Sequence, residues 1–461
     1  MPEFIDLFQG ILKERNVLLK ERLNVGRQKA LTSQKFQEIF LQNYLPLHNL
    51  PNPQKGTFFA IDGSFGQREL ANGYVFYVSR ALGISNIPSK EQHLIADVFT
   101  FSTGRKKTSS YITLKSEYCE FHVVHKLLSS FKAQTTSNKN NVILIDGSLY
   151  GRVMHPPIES NVLGDGEFSL KYLELYADVL KLAQETNTLL VGISKDSNAS
   201  FFRNQILDLV LDDELKRLQK IISKSESEFL FQLVKNVDDL NPSVFQRYLT
   251  LFDKYPTELN CFNEILDEYL NNQTDNALIL EYAKFPGFTQ PMELGPARQR
   301  PIVIFNQILQ SPVFYLQKRF RHVIIEKQKE KVKDQFMPWA VNVLKRYMNL
   351  PTFVSFHLLP RIGDTPMRVD IPSYEFGSTN VLKDFQRTDF LTGECLDKTK
   401  AILAFLMDQY VDFETYNVFL KTVDLEVKLS RGALDLYEQA MADRLDVLIH
   451  HTRDFRRVKF P

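Results

Sequence analysis

The sequence predicts an α/β fold, a mixed sheet flanked by helices with a helical insertion and a C-terminal helical region. Three observations carry this. Two apolar runs, Phe58-Phe59-Ala60-Ile61 and Val142-Ile143-Leu144-Ile145, end in the same tripeptide, Asp62-Gly63-Ser64 and Asp146-Gly147-Ser148. Each reads as a buried strand closed by a carboxylate and a Gly-Ser turn. Strand signals over 57–62, 73–80 and 94–101 leave no room for helices between them, which predicts an antiparallel meander. A helix over about 109–128, a strand over 142–146, a helix over 168–186 and a strand over 188–194 then alternate with short links, as in a parallel crossover unit.

Composition narrows the class. The chain has 461 residues, 44% hydrophobic and 24% charged, with 36 Phe, enough to bury a substantial core and to exclude disorder. A net charge of +1 provides no global field toward nucleic acid or membrane, so such contacts must come from local patches. Cys119, Cys261 and Cys395 are widely spaced and form no CxxC pair, which fits a reduced, cytoplasmic setting. The first residues lack a basic leader and apolar core, and no run of about 18 apolar residues occurs. A soluble cytoplasmic protein without a membrane partner is expected.

Residues 3–45 predict helix, with Ile5, Phe8, Ile11 and Leu12 on one face and a charged tract over 13–27. Pro51 and Pro53 end that segment. Three meander strands, a helix, a strand, a helix and a strand follow, which is a ribonuclease H-like order. In such a sheet the first and fourth strands lie side by side. That brings Asp62 and Asp146 together at the strand ends, where open α/β sheets build their sites. Residues 203–345 predict the insertion, with helices near 204–222, 225–236, 242–253 and 260–271. A hairpin over 352–358 and 367–371 resumes the core, and 395–455 is helical. The expected organisation is an N-terminal helical segment (1–50), a first core part (55–202), the insertion (203–345) and a core-completing C-terminal part (350–461).

A carboxylate at the tip of a buried strand loses hydration unless it is paired, hydrogen-bonded or bound to a cation. Two such carboxylates point to one shared divalent-metal site. Asp-Gly also reads as an ordinary hairpin turn, but its repetition after buried runs in the right element order favours the site. Hard carboxylate oxygens suit Mn²⁺ or Mg²⁺, and two-metal phosphodiester hydrolysis needs such ligands. A third carboxylate is expected from the helix after the meander. Glu117 and Glu120 lie three apart and can share a face. Both remain candidates, with a slight preference for Glu120. Lys195, directly after the strand over 188–194, could hold a phosphate; it also reads as a plain loop lysine.

His122 and His125 lack further ligands at zinc spacing and read as packing or surface residues. Basic clusters at 104–107, 318–322 and 453–459 could track a phosphate backbone, with aromatic residues interleaved for stacking on bases, or be solvated faces. No Walker A motif, nucleophile elbow or GxGxxG after a strand is present.

The series strand-Asp-Gly-Ser, helix-Glu, strand-Asp-Gly-Ser, strand-Gly192-Ile193-Ser194-Lys195 resembles the NurA family of nucleases over roughly 55–200 and 350–430. The resemblance implies a ribonuclease H-like, manganese-dependent DNA nuclease working from 5′ ends, forming a homodimer and docking on a HerA-like hexameric ATPase in DNA end processing or anti-phage defence. It matches the catalytic aspartates to Asp62 and Asp146, the helix glutamate to Glu120 or Glu117, and the post-strand lysine to Lys195. A family motif with a tyrosine, a following proline and a histidine eight residues on matches Tyr416 to Asp424, with Asn417 and Asp424 in place of proline and histidine. Arg368 and Asp370 resemble a family segment ending in arginine, carboxylate and proline. The imperfect match at Asp424 leaves a second expectation, a non-catalytic subunit that binds DNA or a partner without cutting.

Overall fold

A computed structural model describes residues 2–20, 34–53, 56–101, 108–133, 141–237, 241–270, 273–296, 300–446 and 449–452. The basic segments at 104–107 and 453–459 lie outside the described residues. Along the chain come α1 (Pro2–Glu14), α2 (Gln34–Gln42), β1 (Tyr44–Pro46), β2 (Phe58–Glu69), β3 (Val75–Ser85), β4 (Lys90–Phe99) and α3 (Thr108–Ala133). Then follow β5 (Asn141–Asp146), α4 (Leu149–Val153), α5 (Phe168–Glu185) and β6 (Thr188–Ser194). Next are α6 (Phe201–Leu218), α7 (Lys224–Lys235), α8 (Pro242–Lys254), α9 (Asn260–Leu270) and α10 (Asp275–Tyr282). The short strands β7 (Gly287–Thr289) and β8 (Met292–Leu294) precede α11 (Arg300–Gln310), α12 (Pro312–Arg319), α13 (Arg321–Lys329) and α14 (Lys333–Met348). The chain continues with β9 (Phe353–Leu359), β10 (Met367–Pro372), α15 (Glu394–Asp408), α16 (Val418–Val427) and α17 (Arg431–Leu445). Among the described residues no helix is long and apolar enough to cross a membrane.

The chain divides into two compact units, one of residues 50–194, 291–355 and 368–461 and a smaller one of 1–49, 195–290 and 356–367. In the larger unit β2, β3 and β4 form the expected meander, with β2 and β3 paired antiparallel from Phe59↔Ser85 to Glu69↔Val75. On its other edge β2 pairs parallel with β5, β5 parallel with β6, and β6 antiparallel with β10. The first and fourth strands of the predicted order are thus neighbours. Parallel strands covered on both faces read as continuous apolar runs. Ile143, Leu144, Ile145, Leu190 and Val191 are fully buried accordingly. Helix α3 packs on β2 and β3 and lies beside α5. There the Phe121 ring stacks on Tyr176 with centroids 4.5 Å apart.

One expectation is corrected. Asp62-Gly63-Ser64 does not end its strand, because β2 runs on to Glu69. Its second half stays paired to β3 and is covered by the C-terminal helices. Leu70, Phe76, Val78 and Leu434 form one apolar cluster there, and Arg68 is ion-paired with Asp435 at 2.6 Å and with Glu438.

In the smaller unit β1 pairs with β7, and β7 with the later residues of β9. The first amides of α6 are capped from a distant segment. Buried Asp275 accepts from Arg203 N at 2.8 Å and Phe202 N at 3.2 Å, satisfying donors that a helix leaves open at its start.

Candidate active site

Register sets the two aspartates side by side. The parallel ladder between β2 and β5 closes with Ile61↔Ile145, so Asp62 and Asp146 are the next residues on adjacent strands, whose spacing is about 4.8 Å. Beyond this point β5 leaves the sheet. Gly147 has φ +113°, and Ser148 caps α4 by accepting from Gly151 N at 2.6 Å.

Helix α3 brings the third carboxylate. A Cβ on Gly63 would stand 2.5 Å from Glu120 Oε1 and 2.8 Å from Ser116 Oγ. Only glycine leaves room there for Glu120 to lie against β2 beside Asp62. Burial, only partly offset by the Arg152 guanidinium and reinforced by the Asp62 and Glu117 charges, pushes the Glu120 carboxyl up to about 8. Three residues earlier on the same helix, Glu117 is held differently. Tyr172 donates its hydroxyl to Glu117 Oε2, and His155 Nε2 lies 3.3 Å from the same oxygen. Burial raises this carboxyl, but His155, Arg152 and Tyr172 outweigh it and leave it below the usual range.

Tyr416 completes the group. Its hydroxyl donates to Asp146 Oδ2 at 3.2 Å. Burial, then the charges of Asp146, Asp62 and Asp424, raises the phenol far above its ordinary value, so it acts as a donor and not as a base. Asp424 thus belongs to the same neighbourhood, on α16, which packs against β2, β3 and β5. Asn417 replaces the proline of the family motif without loss of order. Its Oδ1 caps α16 by accepting from Leu420 N at 3.0 Å, and its Nδ2 donates to Gln409 Oε1 at 2.6 Å.

Asp62, Asp146, Tyr416 and Asp424 thus share one neighbourhood, and Glu120 lies within electrostatic reach of Asp62, while Glu117 turns toward Tyr172 and His155. Lys195 is exposed directly after β6 and belongs to the smaller unit, opening its second segment. In the basic stretch at 318–322, Phe320 is fully buried and not available for stacking on a base. The His322 amide and ring are held by Glu159 at 3.0 and 3.1 Å. His122 stacks on His93 with centroids 4.4 Å apart, a packing role.

Two residues were not legible as site members or were legible only weakly. Arg152, on α4, donates from Nη2 to Glu120 Oε2 and to the Asp146 main-chain oxygen at 2.9 Å. Asp370, wholly buried on β10, accepts from Ser148 Oγ, from Ser355 Oγ at 2.8 Å and from Arg368 at 3.2 Å. It clamps the second Asp-Gly-Ser segment and is not presented as a ligand.

Among the described residues no three His, Cys, Asp or Glu side chains form a ready-made metal cage. The donor chemistry nevertheless fits a hard cation. The group is all oxygen, its charges repel one another, and a buried carboxyl is driven toward its neutral form, an arrangement a divalent ion would reverse.

The sequence matches the NurA domain family over residues 56–429. No curated protein matches it. Similar solved structures include the NurA nuclease from Sulfolobus solfataricus, 12% identical over 96% of this chain and 97% of that one, with a TM-score of 0.48. Another is a structure of NurA, 16% identical over 95% and 98% of the two chains, at 0.39. A third is Ciona intestinalis endonuclease V with inosine-containing DNA, 18% identical over 42% and 70%, at 0.16. The family match, which spans most of the chain, is the one that carries weight.

Proposed function

The chain belongs to the NurA domain family, and from that premise we propose that it is a metal-dependent nuclease that hydrolyses phosphodiester bonds in DNA. The observation that carries the proposal is the β2–β5 register, which sets Asp62 beside Asp146 with Glu120 against Gly63. Asp62, Asp146 and Glu120 would hold Mn²⁺ or Mg²⁺, with Asp424 as a further oxygen donor in place of the family histidine. When bound, such ions polarise the phosphate, activate water and offset charge on the leaving oxygen. Tyr416 orients Asp146 through its hydroxyl and keeps its own proton. We assign Lys195 a contact with substrate phosphate, where a mobile ammonium tolerates varied backbone geometry. The resemblance supports a homodimer acting from 5′ ends with a HerA-like ATPase, in the cytoplasm, in end processing or in defence against invading DNA.

The test is digestion of 5′- and 3′-labelled linear DNA with Mn²⁺, with and without such an ATPase. Wild-type cleavage is expected, and Asp62→Ala or Asp146→Ala should lose at least about a thousandfold, on the scale of removing a principal catalytic group. Undiminished cleavage by either variant would falsify the assignment. Asp424 at the usual histidine position favours a second reading, a non-catalytic subunit, and a wild-type protein inert in every condition would select it.

A further inference from the structure

Arg152 belongs to no motif, yet it is 5% exposed, and a guanidinium taken out of water is retained only where partners compensate. Its partners are few and directed. Nη2 alone serves both Glu120 Oε2 and the Asp146 carbonyl oxygen, the latter at 2.9 Å, while Nη1 has no acceptor among the described residues. The Cζ atom lies 5.2 Å from the centre of the Phe121 ring, which flanks the guanidinium. Gly147 only borders the guanidinium: a Cβ there would stand 3.1 Å from Nη2, a contact that a shift of a few tenths of an ångström relieves. A single nitrogen therefore ties the acid of α3 to the end of β5.

The two oxygens of Glu120 are divided by this contact. Oε2 is taken by Arg152, and Oε1 lies against Gly63, next to Asp62. Glu117 sharpens the point. It also lies in the field of Arg152, but Tyr172 and His155 already satisfy it. The guanidinium is thus committed to the one glutamate of the pair that feels the Asp62 charge.

We propose that Arg152 is a positioning residue that holds Glu120 Oε1 toward Asp62 and Asp146, so that the three carboxylates can take one divalent cation; this rests on the nuclease reading above. Removing a partner that orients a ligand costs about 10–100-fold in metal affinity. Lysine keeps the positive charge but lacks the planar fork.

Calorimetric titration with MnCl₂, well below each protein's melting temperature, tests this on wild type, Asp62→Ala, Arg152→Lys and Arg152→Gln. Wild type should bind, and Asp62→Ala should not. Arg152→Gln should bind roughly 100-fold and Arg152→Lys roughly 10-fold more weakly than wild type. If Arg152→Gln does not fold, Arg152→Lys, which retains the buried charge, decides. Wild-type affinity in the folded Arg152 variants, whatever their melting temperatures, would make Arg152 a merely structural ion-pair partner and overturn the proposal. A wild-type protein that binds no Mn²⁺ would instead remove the nuclease reading beneath it.

Discussion

The two Asp-Gly-Ser segments are identical in sequence and built in opposite ways. At Asp62-Gly63-Ser64 the chain stays extended, and β2 continues for five more residues. At Asp146-Gly147-Ser148 the chain takes a positive φ at glycine and enters α4. What differs is the neighbourhood. Past Asp62, β2 keeps β3 as a ladder partner and gains the cover of α17. Past Asp146, β5 has no ladder to continue, and Ser148 instead starts a helix clamped to Asp370. One glycine thus serves space and the other serves conformation. A tripeptide offers the chain two outcomes, and distant partners select between them.

The comparison breaks first if the two aspartates do not share a site. Ligand binding to the native state stabilises it by about 2.7 kcal/mol at 100 times Kd, and Mn²⁺ should therefore raise wild-type stability by about this much in chemical unfolding. Both Asp62→Ala and Asp146→Ala should lose the whole increment, whereas loss in one alone would mean two separate sites. Gly63→Ala comes next. Its backbone is extended and accepts a side chain, but the new Cβ displaces Glu120 from 2.5 Å. Mn²⁺-dependent cleavage should fall about 10–100-fold. Gly147→Ala should act the other way. An L-residue in the left-handed region costs about 1–2 kcal/mol, read as a lower urea midpoint without metal. If the two glycine variants behave alike, the distinction between space and conformation is wrong.

Much of this architecture was readable in advance, and the failures are instructive. The strand over 188–194 coincides with β6, because a strand buried on both faces is apolar throughout and needs no partner to be recognised. The continuation of β2 was hidden because Phe65-Gly66-Gln67-Arg68-Glu69 is polar and half-exposed, and is held by distant partners such as β3 and α17. Strands β1, β7 and β8 have three residues each, too few for any period to register. In the site, Asp62, Asp146 and the pair of candidate glutamates carried a local signal. Which glutamate faces the aspartates depends on the glycine opposite, and that is a tertiary fact. Arg152 and the clamping role of Asp370 had none, since Arg152 acts on Glu120 of another helix and Asp370 on Ser148, 222 residues away.

The smallest expected effects are at the serines, and they separate the segments most cleanly because no charge is altered. Ser148 Oγ accepts from Gly151 N at 2.6 Å, donates to Asp370 and receives Arg368. Losing an N-cap costs about 1 kcal/mol. The loss is limited because Asp370 keeps Ser355 at 2.8 Å and Arg368 at 3.2 Å, so no buried carboxylate is abandoned. Among the described residues Ser64 Oγ makes one contact of the same kind, accepting from Leu429 N at 2.9 Å, where α16 gives way to α17. A net hydrogen bond of this type is worth about 0.5–1 kcal/mol, and water can reach the half-buried site in its place. Ser148→Ala should therefore lower unfolding stability by about 1 kcal/mol and Ser64→Ala by about half as much, measured side by side in urea. A reversed order would mean that the mid-strand segment, and not the helix-starting one, depends on its serine.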